Sequence, residues 1–398
     1  MKSTYTLLLA LAATSAAASA QTIITRNITG ATAFRSASHN AILALLGPGT
    51  EYAFVGSNLG SANRSIFRKT TNDNGTPLIL TDDTITIVRG SWSGSTQGIL
   101  DLADQTAIQY LTSANTMSTT GTNLTNPAFE NAVSRFAFSD VDKALSARPN
   151  SGIFSNPVGI VPFMFVAGES APATVTNMTD QLHNTMWAAG ELPASLFTGN
   201  AADAGFTLFA TGRNNGSGTR AAVLSETRYG SATSVIQFSS TFTGNAATGA
   251  LTGGVSAYLP NGNGGGSSNS NVRDLLVRTS NPTFLGGNYA YVSYLTISDA
   301  VAATGYDQAT GLTTLSSEGA KPMTYNGVRY SEANVYNGSY TLWSFQQFYT
   351  AVSPTGAETQ FQTDLKAAID TSLTPATGLR TSLLQVQRTG GDGGPVAP

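Results

Sequence analysis

Short β-branched or apolar runs alternate with helix-patterned segments along almost the whole chain, and this alternation restricts the fold more than any other feature. Thr22–Ile28, Ile85–Val88, Arg135–Ser139, Val158–Ala167, Ser234–Phe242 and Tyr289–Leu295 read as strands. Ala33–Leu46, Ile99–Leu111, Thr179–Ala189, Ala221–Leu224 and Asn271–Val277 carry apolar residues at helical spacing, and the stretch Leu342–Ile369 reads as helix-rich. Such alternation predicts an α/β protein with mainly parallel sheets, in which ligands lie beyond the carboxyl ends of the strands. The loops that follow strands are therefore where function is sought.

One of them has a composition of its own. Residues 211–220 read Thr-Gly-Arg-Asn-Asn-Gly-Ser-Gly-Thr-Arg and run into a helix. Unpaired N–H groups of a first helical turn and the positive end of the helix dipole favour an anion, and Arg213 adds a fork of donors suited to a tetrahedral oxyanion. The same residues also suit an ordinary turn and helix cap. Three further loops offer matching chemistry: Thr29-Gly30-Ala31-Thr32-Ala33-Phe34, Gly90-Ser91-Trp92-Ser93-Gly94-Ser95-Thr96, and Phe138-Ser139-Asp140.

Composition narrows the class. The chain has 398 residues and no cysteine, so disulfides, thiolate metal sites and a lipid-modified N-terminal cysteine are excluded. A formal net charge of −3 argues against a nucleic-acid surface. Met1-Lys2, the apolar Leu8–Ala13 and Ala18-Ser19-Ala20 read as a cleavable secretory signal over residues 1–20. No later run is long enough for a membrane span. His39 and His183 lack metal-ligand spacing and no Gly-x-Ser-x-Gly elbow is present, so neither a metal nor a cofactor nor an enzyme activity is expected. Trp92, Trp187 and Trp343 read as core or lobe-surface residues, Trp92 within a candidate loop. Residues 243–271, rich in Gly, Asn and Ser, read as a surface loop in their second half.

Taken in order, Gly-Ala-x-Ala-Phe, Gly-Ser-x-Ser-Gly, Phe-x-x-Ser-Asp and Arg-x-x-Gly-Ser-Gly-Thr resemble the phosphate-contacting segments of the periplasmic phosphate-binding proteins of phosphate ABC importers. Pro157–Pro162, Leu196–Gly199 and Tyr289–Tyr294 resemble further segments of that family, over about Ile23 to Tyr349. The resemblance implies a type 2 periplasmic-binding-protein fold, two lobes that close over a ligand in the interlobe cleft. It implies a lobe 1 of residues 21–155, a lobe 2 of 156–288 and a return part of lobe 1 at 289–388, while the Gly-rich residues 389–398 read as a disordered tail. The ligand contacts it implies are Thr32, Ala33, Phe34, Ser93, Ser95, Asp140, Arg213, Ser217, Gly218 and Thr219, with Ser93 and Ser95 alternatives for one register. The partners implied are phosphate or a related oxyanion and a membrane ABC permease, for a monomer in the periplasm or secreted. Asp140 would accept the proton that phosphate carries and sulfate lacks.

The sequence departs from the family pattern in places. Asn215 stands where an Asp usually steadies the arginine, Ala33 where a hydroxyl usually precedes the Phe, and Arg35 and Arg220 bring extra charge that suits another anion, such as a phosphate ester. Asn58–Leu80 and Gly305–Val335 read as surface insertions. The alternative from another class is a secreted or cell-surface structural protein that keeps the fold without transport.

Overall fold

The computed structural model describes residues 21–71, 83–240, 255–258, 264–278, 288–307, 319–375 and 377–398. The signal-like residues 1–20 lie outside these, as do parts of the Asn58–Leu80, 243–271 and Gly305–Val335 segments.

The protein is a mixed α/β structure with a large sheet flanked by helices. Its main strands are β1 (Thr22–Gly30), β2 (Glu51–Val55), β3 (Arg64–Thr71), β4 (Thr84–Ser91), β5 (Phe136–Ser139), β6 (Phe154–Ala167), β7 (Glu191–Pro193), β8 (Thr207–Ala210), β9 (Tyr289–Thr296) and β10 (Trp343–Thr350). Their order across the sheet is β7-β8-β9-β6-β10-β5-β1-β4-β3-β2. β1 pairs in parallel with β4 and β5, and β8 pairs in parallel with β9. These parallel pairs build two halves, one at each end of the sheet.

β6 and β10 join the halves. Residues 154–162 of β6 pair with β10, and residues 163–167 pair with β9, so one strand serves both sides. Its sequence explains the position: from Val158 to Ala167 every residue is buried, as in a strand covered on both faces. β9 lies beside β8 and belongs to the half opposite β1, so the chain returns to the first half through β10 rather than at residue 289.

Helices α1 (Arg35–Leu46) and α2 (Ser95–Ala103) follow β1 and β4, α3 (Asp180–Ala189) follows β6, and α4 (Gly218–Glu226) follows β8. α5 (Asn269–Arg278), α6 (Ile297–Thr304) and α7 (Gly356–Ser372) complete the main set. Gly98 lets α2 lie directly on β1, since a Cβ there would sit 2.4 Å from the Gly30 Cα.

Several expectations are corrected. Ile108–Leu111 does not extend α2; residues 107–111 form a strand paired with 129–133. Trp343–Thr350 is a strand and not helix, because its large aromatic side chains pack on both faces of a central position. The segments read as surface insertions contribute core residues: Ile66, Phe67, Met323, Tyr325, Tyr330 and Val335 are all buried. The tail is ordered against the body. Gln387–Arg388 pairs with Val396–Ala397, and Arg388 bonds Glu226 at 2.6 Å and lies 4.2 Å from the Trp343 ring centroid.

Candidate functional site

Both halves of the sheet aim the carboxyl ends of their parallel strands at one another. From the first half come Thr32–Phe34 after β1, Ser93–Ser95 after β4 and Asp140 after β5; from the second come Arg213–Thr219 after β8 and Thr296–Asp299 after β9. Three helices that start here, α1, α2 and α6, have no side-chain cap bond at their first turns. α4 is capped by Ser217, whose oxygen accepts from the Arg220 N–H at 3.3 Å.

Asp140 is the meeting point of the halves. Its carboxylate accepts the Ser95 hydroxyl from one side and the Thr219 hydroxyl, at 3.2 Å, from the other. Ser95 Oγ also accepts from the Asp140 N–H at 3.3 Å. Gly218 lies so close beneath the carboxylate that a Cβ would fall 1.8 Å from Oδ1 and 2.4 Å from Ser95 Cβ. Burial raises the Asp140 pKa, opposed by the Ser95 hydroxyl and the charge of Arg213.

Arg213 is buried within reach of that carboxylate's charge. With Asn215 two residues on in place of a carboxylate, two backbone carbonyls hold the guanidinium: Nε donates to Gly266 and Nη2 to Ser267, both at 3.0 Å. Gly265 is needed for this approach, because a Cβ there would meet the Arg213 carbonyl carbon at 2.4 Å. Gln237 ties the layer together, donating to the carbonyls of Arg213 and Gly264 at 3.2 and 2.7 Å. The Nη1 of Arg213 is buried and has no hydrogen-bond partner among the described residues. Desolvation lowers the guanidinium's pKa, and Asp140 and Asp299 oppose that. The described end of the Gly/Asn/Ser-rich segment is therefore the support of Arg213 and not a surface loop.

The other expected residues divide into two groups. Ser95 meets Asp140, whereas the exposed Ser93 donates to Asp101 on α2 at 3.3 Å and lines an open cleft with Thr32. Ala33 borders an adjoining cleft, which Thr32 and Arg35 also line. Phe34 is wholly buried against Phe138, ring centroids 5.8 Å apart, so it can offer only its backbone. Sequence reasoning missed Gly266, Ser267, Gln237, Arg273 and Asp299. The signal that could have found some of them is the Gly264-Gly265-Gly266 triplet two residues before α5.

The histidines serve packing. His39 donates from Nδ1 to the Leu59 carbonyl at 2.8 Å and accepts the Trp92 indole N–H at Nε2 at 2.9 Å, and burial lowers its pKa to about 3. It thereby fixes Trp92 at the cleft wall. His183 stacks on Trp187 with centroids 4.4 Å apart, and burial lowers its pKa to about 4.

No protein-family model matches the chain, and no curated protein matches it in sequence. Solved structures do. A putative phosphate ABC transporter substrate-binding protein with bound phosphate from Clostridium perfringens has 12% identity and a TM-score of 0.49, over 90% of this chain and 99% of that one. An ABC-type phosphate transport receptor from Vibrio cholerae has 13% identity and a TM-score of 0.46, over 86% and 93%. A DING protein has 12% and 0.45, over 90% and 92%. Such structural neighbours are phosphate ABC transporter substrate-binding proteins. They are of the kind the sequence motifs resemble, and at this identity the likeness says nothing of this chain's cargo.

Proposed function

We propose that this chain is an extracytoplasmic solute-binding protein that captures inorganic phosphate or a closely related oxyanion between the two halves of its sheet for uptake, without chemistry. The observation that carries the reading is Arg213: a buried guanidinium anchored by two backbone carbonyls, with Nη1 left over, beside a buried carboxylate ringed by hydroxyls. An unpaired buried donor costs about 1–3 kcal/mol, and an oxyanion removes that cost.

In this reading Arg213 supplies the fixed charge, Ser95, Ser217 and Thr219 supply hydroxyls, and Gly218 and the residues 32–34 supply backbone N–H groups. The Ser95 and Thr219 hydroxyls have one proton each. On binding they turn from Asp140 to the anion, and Asp140 accepts the anion's own proton in their place. Phosphate carries that proton and sulfate does not, so sulfate leaves the carboxylate without donors. No described helix is long and apolar enough to cross a membrane, and delivery to a membrane permease completes the proposed role.

Calorimetry on the chain from Gln21 onward tests the proposal. One-to-one binding of inorganic phosphate is the expected result. No heat with phosphate, arsenate or sulfate would refute it and leave a structural role as the better account.

A further inference from the structure

The cleft beside the buried cluster is larger than a tetrahedral oxyanion requires. It has a volume of about 450 Å³, and at ~30 Å³ per liquid water it has room for on the order of fifteen waters. It adjoins a second opening bordered by Trp92, Ser93 and Ser267. Ser267 links the cluster to the second opening, since its carbonyl holds Arg213 Nη2 while the residue itself lines that opening, and Ser268 beside it lines both spaces.

The walls are mostly polar. Arg35, Asn58, Ser61, Ser268, Arg273 and Asp299 all border the space, and Trp92 is the one aromatic residue among the described lining residues of the two openings. Asp299 is held by Arg273 at 3.2 Å and by the Thr296 hydroxyl at 3.4 Å, and it is near enough to Arg213 and Arg35 to feel both charges. Hydroxyls, amides, a carboxylate and guanidinium groups offer donors and acceptors in alternation. That pattern suits a ligand whose own surface is hydroxyl groups, each of them donor and acceptor. An apolar ring system would find little to cover it.

We infer that the ligand is a phosphate monoester of a polyhydroxylated compound, a sugar or polyol phosphate. Its phosphate sits at Arg213 and Asp140 in the monoprotonated form, which keeps the one proton that Asp140 accepts, and its body extends past Ser267 and Ser268 into the cleft between Arg35 and Arg273. This inference rests on the oxyanion reading above and adds the class of cargo to it.

The test is calorimetry at about pH 6, near the second pKa of a phosphate monoester, with inorganic phosphate, glucose 6-phosphate and glucose on the chain from Gln21 onward, repeated with Arg273→Met and Ser61→Trp. Ser61→Trp fills the cleft and leaves every ion pair intact, so it stands if Arg273→Met fails to fold. Glucose 6-phosphate is expected to bind at least about tenfold tighter than phosphate, a difference of ~1.4 kcal/mol, and glucose not at all. Both variants are expected to remove that advantage while phosphate affinity stays within about threefold. Phosphate binding as tightly as the ester overturns the inference and keeps the oxyanion reading, as do variants that weaken both ligands alike. Glucose binding as tightly as its ester overturns the inference, because the phosphate would not be the anchor. Binding of neither phosphate nor ester overturns both.

Discussion

Gly218→Ala tests the geometry of the closed site with the smallest possible change. The added Cβ would lie 1.8 Å from Asp140 Oδ1 and 2.5 Å from Ser95 Oγ, where ordinary contact begins at 3.4 Å. The start of α4 and the Asp140 loop must therefore separate by roughly 1.5 Å, the gap between the observed and ordinary distances. Overpacking of this kind costs about 1–3 kcal/mol. Because Gly218 and Asp140 belong to opposite halves of the sheet, the strain is relieved by moving the halves apart and not by disrupting either core. The cost then falls on the closed state alone and reduces phosphate affinity by about 5- to 150-fold. Stability moves the other way if at all, since alanine is favoured over glycine by up to ~1 kcal/mol within a helix. Gly216→Ala is the control, as a Cβ there meets only Asn214 Oδ1 at 3.7 Å. The assay is calorimetric titration beside a thermal melt monitored by circular dichroism. Wild-type affinity in Gly218→Ala, or an equal loss in Gly216→Ala, refutes the closed geometry.

Arg213→Met is expected to abolish anion binding and to lower the melting temperature, because it removes two hydrogen bonds from a charged donor, worth about 1.5–3 kcal/mol each; titration and melting of the same sample check both effects. Asp140→Asn is expected to narrow the preference for phosphate over sulfate by about 5- to 150-fold, read from competition of the two anions, and unchanged selectivity would refute the proton-acceptor role. Asp392 in the C-terminal hairpin accepts from the Asp142 N–H at 2.7 Å, yet burial pushes its pKa from 3.8 up to about 7. The folded state then keeps a proton that the unfolded state has released, so stability falls as pH rises between those two values and is flat above them. Each pH unit inside that window costs up to ~1.4 kcal/mol; melting curves from pH 4 to 8 measure the slope, and Asp392→Asn is expected to flatten it.

Much of the architecture was legible because it depends on local pattern. β1, α1, β4, α2, β6, α3 and α4 follow from β-branched runs and helical spacing, each interpretable within a window of a dozen residues. The misread places are those where packing overrode pattern. Trp343–Thr350 is a strand because the join between the halves needs one there, Ile66 and Phe67 are core because β3 lies between β2 and β4, and Tyr330 is core because it packs against Tyr306 and Tyr340.

The sequence alone determined that Arg213 to Thr219 would stand at a helix start after a strand, with Asp140 at the end of another. Chemistry of that kind is carried by adjacent residues. Only the tertiary structure decided what those residues touch. It chose Ser95 over Ser93 for Asp140, put the Thr219 hydroxyl 3.2 Å from a carboxylate 79 positions away, and gave Arg213 two carbonyls more than 50 residues downstream. It also brought Arg35 and Asp299 to the wall of one cleft. The physical reason is that hydrogen bonds and Coulomb forces act over a few ångströms of space, and distance along the chain does not encode which loops the sheet will bring that near.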